Sequence, residues 1–271
     1  MRRPPAVAGS FYPAEPQALE RVVESCLGGA RQPRGAFGGV VPHAGLQYSG
    51  PVAGAVYARL EFPPTVLLVG PNHYGRGSPI ALFAEGTWET PLGELEVDVE
   101  LAAELRAACA LVTDDPGAHR TEHSLEVQLP FLRHLAPRVR FVPLLLSVGR
   151  FEPLEELGRA LAGILAKREP RPLLLASSDL NHYESDRITR VKDRKAIEAI
   201  LTLDARGLYD VVRRERITMC GVEAAVVLLT AARALGVERA EEVRYATSAE
   251  ASGDYDRVVG YAGIVFGLGG R

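Results

Sequence analysis

A chain of 271 residues with 47% hydrophobic and 24% charged side chains can bury a sizeable core and fits one large globular domain, residues 1–271. Its 31 basic and 34 acidic residues leave a net charge of −3, and no run of lysine or arginine is long enough for a nucleic-acid footprint. The opening MRRPPAVAGSFYP lacks the apolar stretch of a secretory signal, and the longest apolar run, AAVVLLTAARAL, is too short to span a bilayer and is broken by Thr230 and Arg233. Three widely separated cysteines do not form a disulfide framework, so the expected location is the cytoplasm, with no membrane partner.

In chain order, an amphipathic helix follows Pro16 through LERVVESCL and stops at Gly28-Gly29. The strand GGVV leads into Pro42-His43-Ala44-Gly45, and Ser49 is placed to cap a helix through VAGAVYARL. TVLLVG is the next strand and ends at Pro71-Asn72-His73. A hairpin-like region of PIALF, GTWET, the turn Pro91-Leu92-Gly93 and ELEV follows. VDVELAAELRAACA has helical periodicity, and TEHSLEVQLPFLRHL is expected to form another helix with Thr121 as its cap. RFVPLLLS is a strand, EPLEELGRALAGILAKR a helix and PLLLASS a strand. Helices are expected from about Asp186 to Leu203, from Ala205 to Glu215 and after Cys220. Two strand-like pieces, EVRYATSA and VVGYAGIVFG, close the chain around the turn Ser252-Gly253-Asp254. Short strands alternating with helices predict a layered α/β sandwich around a mostly parallel sheet.

Ligands of such sheets gather beyond the carboxyl ends of the strands. His43, His73 and the pair Asp179 and His182 all stand there, although far apart in sequence. Cys220 precedes a helix, where unpaired amides and the helix dipole are expected to depress a thiol pKa. Imidazole, thiolate and carboxylate are transition-metal donors. Asp179 is placed to fix the tautomer of His182, which is either a general base beside a metal or a further ligand; Asp179 could instead cap a turn. His119 and His123 do not form the HExxH pattern. His119 falls in a loop, whereas His123 and Glu126 fall three apart on one helix face and are assigned to substrate contact. His134 complements a helix C-terminus, and Cys26 and Cys109 read as small buried hydrophobes. No GxGxxG, GxxxxGK[ST] or GxSxG motif is present, which disfavours dinucleotide, P-loop and α/β-hydrolase chemistry.

The segments AGSFYP, VVPHAGLQYSG, LLVGPNHYG, WETPLGELEVD, EHSLEVQLPFL, SSDLNHY, MCG and SGDYDRVVGYAG occur in one order over essentially the whole chain. In this the sequence resembles the Memo family (mediator of ErbB2-driven cell motility), called AmmeMemoRadiSam system protein B in prokaryotes. The resemblance implies a fold similar to class III extradiol dioxygenases. It also implies metal ligation by His43, His73 and Cys220, with His182 in the acid/base position and Asp179 beside it. Where those dioxygenases have a carboxylate, this chain has Cys220, and a softer donor shifts preference toward copper or zinc and exposes the site to oxidation. The expected cofactor is therefore iron or copper, with zinc possible. The expected activity is that of a dioxygenase-like oxidoreductase, with zinc-dependent hydrolysis or non-catalytic peptide binding or metal handling as the other readings. The expected partners are a small-molecule or peptide ligand, and the family name links the pathway to AMMECR1-like and radical-SAM proteins.

Overall fold

Thr65–Pro71, Arg140–Leu146 and Leu173–Ser177 are β-branched and aliphatic runs buried over nearly their whole length. A strand with both faces covered needs such a run, because alternate side chains go to opposite layers. In the computed structural model, which describes residues 1–29 and 31–267 of the expected single domain and leaves Ala30 and residues 268–271 outside the description, these strands form the middle of a nine-stranded sheet. Gly38–Val41 pairs parallel with Leu173–Ser177, which pairs parallel with Thr65–Pro71, which pairs parallel with Arg140–Leu146. Antiparallel strands flank this block: Val258–Phe266 on one side, and Ile80–Leu82 on the other.

Leu67 and Val69 point into one apolar cluster with the helices Phe151–Leu165 and Val222–Ala234. Val66 and Leu68 point into a second cluster, with the helices Pro16–Leu27 and Leu46–Tyr57. The alternation makes two cores, one on each face, and hence the layered sandwich. Most of the expected elements form, with two instructive departures. The Leu46–Tyr57 helix begins earlier than expected, with Gly45 rather than Ser49 as its N-cap, and the Ser49 hydroxyl donates to the Ala44 carbonyl at 2.7 Å. Ile80–Leu82 leaves the expected hairpin for the main sheet, while Thr87–Thr90 and Gly93–Glu96 pair with each other.

The two helices on the second face cross closely at Gly54, where an added Cβ would stand 2.1 Å from the Cys26 carbonyl oxygen. Backbone cannot yield there as a flexible side chain would. Gly54→Ala is therefore expected to destabilise the protein by about 2–3 kcal/mol through overpacking. Gly163→Ala, on an exposed helix position with nothing within 4 Å of an added Cβ, is expected to stabilise it by roughly 0.5–1 kcal/mol. Urea denaturation midpoints of the two variants check the contrast.

Candidate metal centre

Three adjacent parallel strands deliver their following residues to one edge. Val41 is level with Ser177, and Val69 with Ala176, so the loops carrying His43, His73 and Asp179–His182 leave the sheet side by side. A fourth loop brings Cys220 up against them. Gly221 permits this approach, since a Cβ there would lie 2.3 Å from the Ser177 carbonyl oxygen. The result is a cavity of about 790 Å³ lined by His43, His73, His123, Asp179, His182 and Cys220, among others.

The protonation of the imidazoles follows from their partners. Ser177 has a single hydroxyl proton and gives it to the Ser124 carbonyl at 2.7 Å. Its oxygen therefore accepts from His43 Nδ1 at 2.8 Å and from the Gln128 side-chain amide at 2.9 Å. His43 thus carries its proton on Nδ1, leaving the Nε2 lone pair free. Burial, and then the neighbouring imidazoles His73, His123 and His182, hold the His43 pKa well below the ordinary histidine range. His182 Nδ1 lies 2.8 Å from the Thr218 carbonyl, which can only accept, so it too is protonated on Nδ1.

His73 Nδ1 donates to Glu122 at 2.9 Å. Burial works to raise the Glu122 pKa, but the His73 hydrogen bond and charge and the Ser124 amide outweigh it and bring the carboxyl down to about 2. A carboxylate holding the Nδ1–H of an imidazole is the arrangement that presents Nε2 to a metal. The His73, His123 and Ser124 amides also donate to Glu122, at 2.6, 2.8 and 2.9 Å.

That carboxylate explains the third departure from expectation. Residues 121–125 are not helical; a 3-10 turn, Glu126–Gln128, leads into a short α-helix, Leu129–Leu135. Glu122 accepts from the His123 and Ser124 amides, the first-turn amides that the expected helix would have left for the Thr121 cap. His123 and Glu126 consequently part. The His123 ring joins the cavity, 4.6 Å from the His73 ring and 5.6 Å from the His43 ring. The Glu126 carboxylate does not line the cavity. It is wholly buried, paired with Arg3 at 2.7 Å and hydrogen-bonded by the Ala6 and Val7 amides and the Tyr12 hydroxyl. Its role is to fasten the N-terminal segment, not to contact a substrate.

The ligand atoms of His43, His73 and His123 all lie within 4.8 Å of one another, a group that could hold a metal ion. Cys220 Sγ stands 3.3 Å from His43 Nε2. Nitrogen and sulfur ligands of one tetrahedral ion, at ~2.0 and ~2.3 Å from it, are roughly 3.5 Å apart, so His43 and Cys220 fit a shared cation as a pair, while Cys220 does not join His43 and His73 in one group within 4.8 Å among the described residues. The thiol itself departs from expectation: burial, and then the Asp179 charge, push its pKa up, and the helix start does not reverse this. A bound cation would take the place of the thiol proton.

Asp179 does not hydrogen-bond His182. Its Oδ1 accepts from the His43 and Ala44 amides at 2.8 and 3.3 Å and so fixes the turn that carries His43; burial pushes its carboxyl pKa up despite those bonds. His119 lies in a short helix, Pro116–His119, away from the cavity, where Nε2 bonds the Ala81 carbonyl. His134, in the last turn of Leu129–Leu135, lies near Glu20 and Glu24 at the protein surface.

The chain matches the Memo-like protein family over residues 3–265. It belongs to the Memo family. A MEMO1 family protein of Methanopyrus kandleri is 43% identical over 283 residues, covering 99% of this chain and 100% of that protein. One from Pyrobaculum aerophilum is 41% identical over 276 residues, covering 97% of this chain and 98% of the relative. The fold is also similar to that of the crystal structure of an uncharacterized protein from Escherichia coli K12, with a TM-score of 0.53 and 16% identity over 77% of this chain and 88% of that one. Among the described residues of this Memo-family chain, no helix is long and apolar enough to cross a membrane.

Glu122 also makes the centre acid-sensitive. Its folded pKa of about 2 lies below the ordinary 4.5, so its contribution to stability is complete above 4.5 and is lost as pH falls through about 2. In urea denaturation across this window, the stability gap between the wild type and Glu122→Gln is expected to narrow as pH falls. A gap of constant size would mean that the carboxylate charge is not what holds His73.

Proposed function

We propose that this Memo-family protein binds a redox-active transition metal, iron or copper, through His43, His73 and Cys220, and acts on a small organic ligand in the adjoining cavity. The reading is carried by one observation: His43 Nε2 and Cys220 Sγ are 3.3 Å apart, while the Nδ1 atoms of His43 and His73 are both held by acceptors that leave Nε2 free. When bound, iron or copper would supply redox chemistry and Lewis acidity at the floor of the cavity. The protein's own part is to position and to move protons. Ser177 and Glu122 set the imidazole tautomers, and Asp179 fixes the His43 turn. His182, its Nδ1–H tied to the Thr218 carbonyl, offers Nε2 as a proton acceptor to a ligand in the cavity.

A second reading rests on His123. The three imidazoles His43, His73 and His123 form a donor group without sulfur, and three histidines with an open position are a zinc set suited to activating water for hydrolysis.

Protein purified without chelator is expected to carry close to one equivalent of iron or copper per chain by elemental analysis, with a thiolate-to-metal absorption band in the visible. Cys220→Ser is expected to lose the band and most of the metal; His123→Ala keeps both, and His182→Ala keeps the metal while losing turnover. Zinc content with no visible band, lost in His123→Ala and retained in Cys220→Ser, would favour the hydrolytic reading. A metal content below about half an equivalent would count against both, because three-ligand sites normally retain their metal through purification.

A further inference from the structure

The strand Val258–Phe266, with the residue before it, turns Arg257, Val259 and Tyr261 toward the cavity at alternate positions. The two-residue period of an extended chain gives this alternation, and it separates Arg257 from Tyr261 by about 13 Å at Cα. The two ends of the row differ in kind. Tyr261 is only 1% exposed, yet it lines the cavity, and its hydroxyl has no hydrogen-bond partner among the described residues. Burial, reinforced by the Asp179 charge and by Tyr48 and Tyr183, pushes its phenol pKa up, so the group remains a proton donor. The hydroxyl is not among the buried polar atoms that lack a partner, so it opens into the cavity, where a ligand acceptor can reach it.

Arg257 stands exposed at the other end of the row and forms no ion pair among the described residues. Its guanidinium lies 5.7 Å from the Tyr183 ring, which is in turn 5.6 Å from the His182 ring. Tyr183 holds φ at 64° and is 67% exposed, an unfavourable backbone for a residue with a side chain, and it keeps an aromatic face at the mouth. The carboxylate at the mouth, Asp254, already accepts from the Asp256 amide at 2.9 Å through one oxygen. A free cation at the mouth, an unpartnered donor opening into the cavity and aromatic walls between them select a ligand with acceptor oxygens at both ends.

We propose that the cavity takes a small aromatic organic acid lying along this strand, its carboxylate on Arg257 and its far-end oxygen accepting the Tyr261 hydroxyl proton beside the imidazoles. The assignment rests on the reading of this cavity as the working site, but it does not depend on which metal is bound. A cavity of about 790 Å³ is within the usual range for small organic ligands.

Isothermal titration calorimetry of the full chain, both metal-loaded and chelator-treated, tests it with three probes: 3-(4-hydroxyphenyl)propionate, its uncharged amide, and 3-phenylpropionate. The hydroxylated acid is expected to bind about tenfold more tightly than the amide, as a charge-assisted contact to arginine allows. Arg257→Gln is expected to abolish that preference, and Arg257→Lys to keep part of it. Tyr261→Phe is expected to abolish the preference for the hydroxylated over the unhydroxylated acid while leaving the acid-over-amide ratio intact. Equal binding of acid and amide by the wild type, an unchanged ratio in Arg257→Gln, or no binding of any probe at millimolar concentration would overturn the proposal. Loss of metal binding would sink the proposed metal chemistry alone, because the acid-over-amide ratio is also read in chelator-treated protein.

Discussion

The Ser177 hydroxyl joins three parts of the chain that have no sequence connection: it donates to the Ser124 carbonyl and accepts from His43 Nδ1 and from Gln128. Because one proton can go to only one acceptor, this bond fixes the tautomer of a wholly buried imidazole and with it the direction of the free Nε2. Were the hydroxyl turned the other way, His43 would carry its proton on Nε2 and face Cys220 as a donor rather than as a metal ligand. The direction in which this imidazole offers its free lone pair to the pocket thus rests on a hydroxyl at the end of a central strand.

The same device recurs with different chemistry around the pocket. His73 is set by the Glu122 carboxylate and His182 by the Thr218 carbonyl. Each acceptor belongs to a different loop, and each loop is anchored in turn: Glu122 by backbone amides, the His43 turn by Asp179, and the segment beyond His123 by the buried pair of Arg3 and Glu126. Arg3 also donates to the His119 and Glu122 carbonyls at 2.7 and 2.6 Å. The N-terminal segment is therefore part of the scaffold of the site, over a hundred residues from the histidine it steadies. Burying the Arg3–Glu126 pair costs solvation, and its many hydrogen bonds are what make such burial tolerable.

Much of this was legible in the sequence, for a physical reason. Buried parallel strands must be apolar throughout, so VVPH, LLVGPNH and LLLASSDLNH announce both the strand and the residue delivered at its end. Cys220 was legible from its place before a helix, while the close approach at Gly221 that lets it reach His43 shows only in the fold. Other assignments were less legible because they depend on competition. TEHSLEVQLPFLRHL has helical periodicity, yet the Glu122 carboxylate replaces the Thr121 cap at the amides of residues 123 and 124, and the first helical turn begins only at Glu126. With the helix starting that late, the reasoning that placed His123 and Glu126 on one face no longer applies, and one enters the cavity while the other is buried against Arg3. The SSDLNH spacing brought Asp179 near His182 in sequence, but the sheet carried Asp179 to the His43 turn and left Thr218 to hold His182. Ser177 sets its imidazole through a hydroxyl and Thr218 through a backbone carbonyl, and in both cases the distance to the ring, which is not written in a linear pattern, singles out the acceptor.

Periodicity and strand-end chemistry alone determined the layered α/β architecture, the edge of the sheet at which the site lies, and the residues His43, His73, His182 and Cys220 that meet there. Those features are local: the histidines follow from the burial pattern of one strand each and the residues directly after it, and Cys220 from its place before a helix. Tertiary structure decided which acceptor fixes each imidazole, the separation of His123 from Glu126, the raised thiol pKa of Cys220, and the Tyr261 hydroxyl without a partner among the described residues, on the same strand face as Arg257. These depend on which groups from distant segments come within hydrogen-bonding distance and on how much water is excluded around them, and neither quantity exists until the chain has folded.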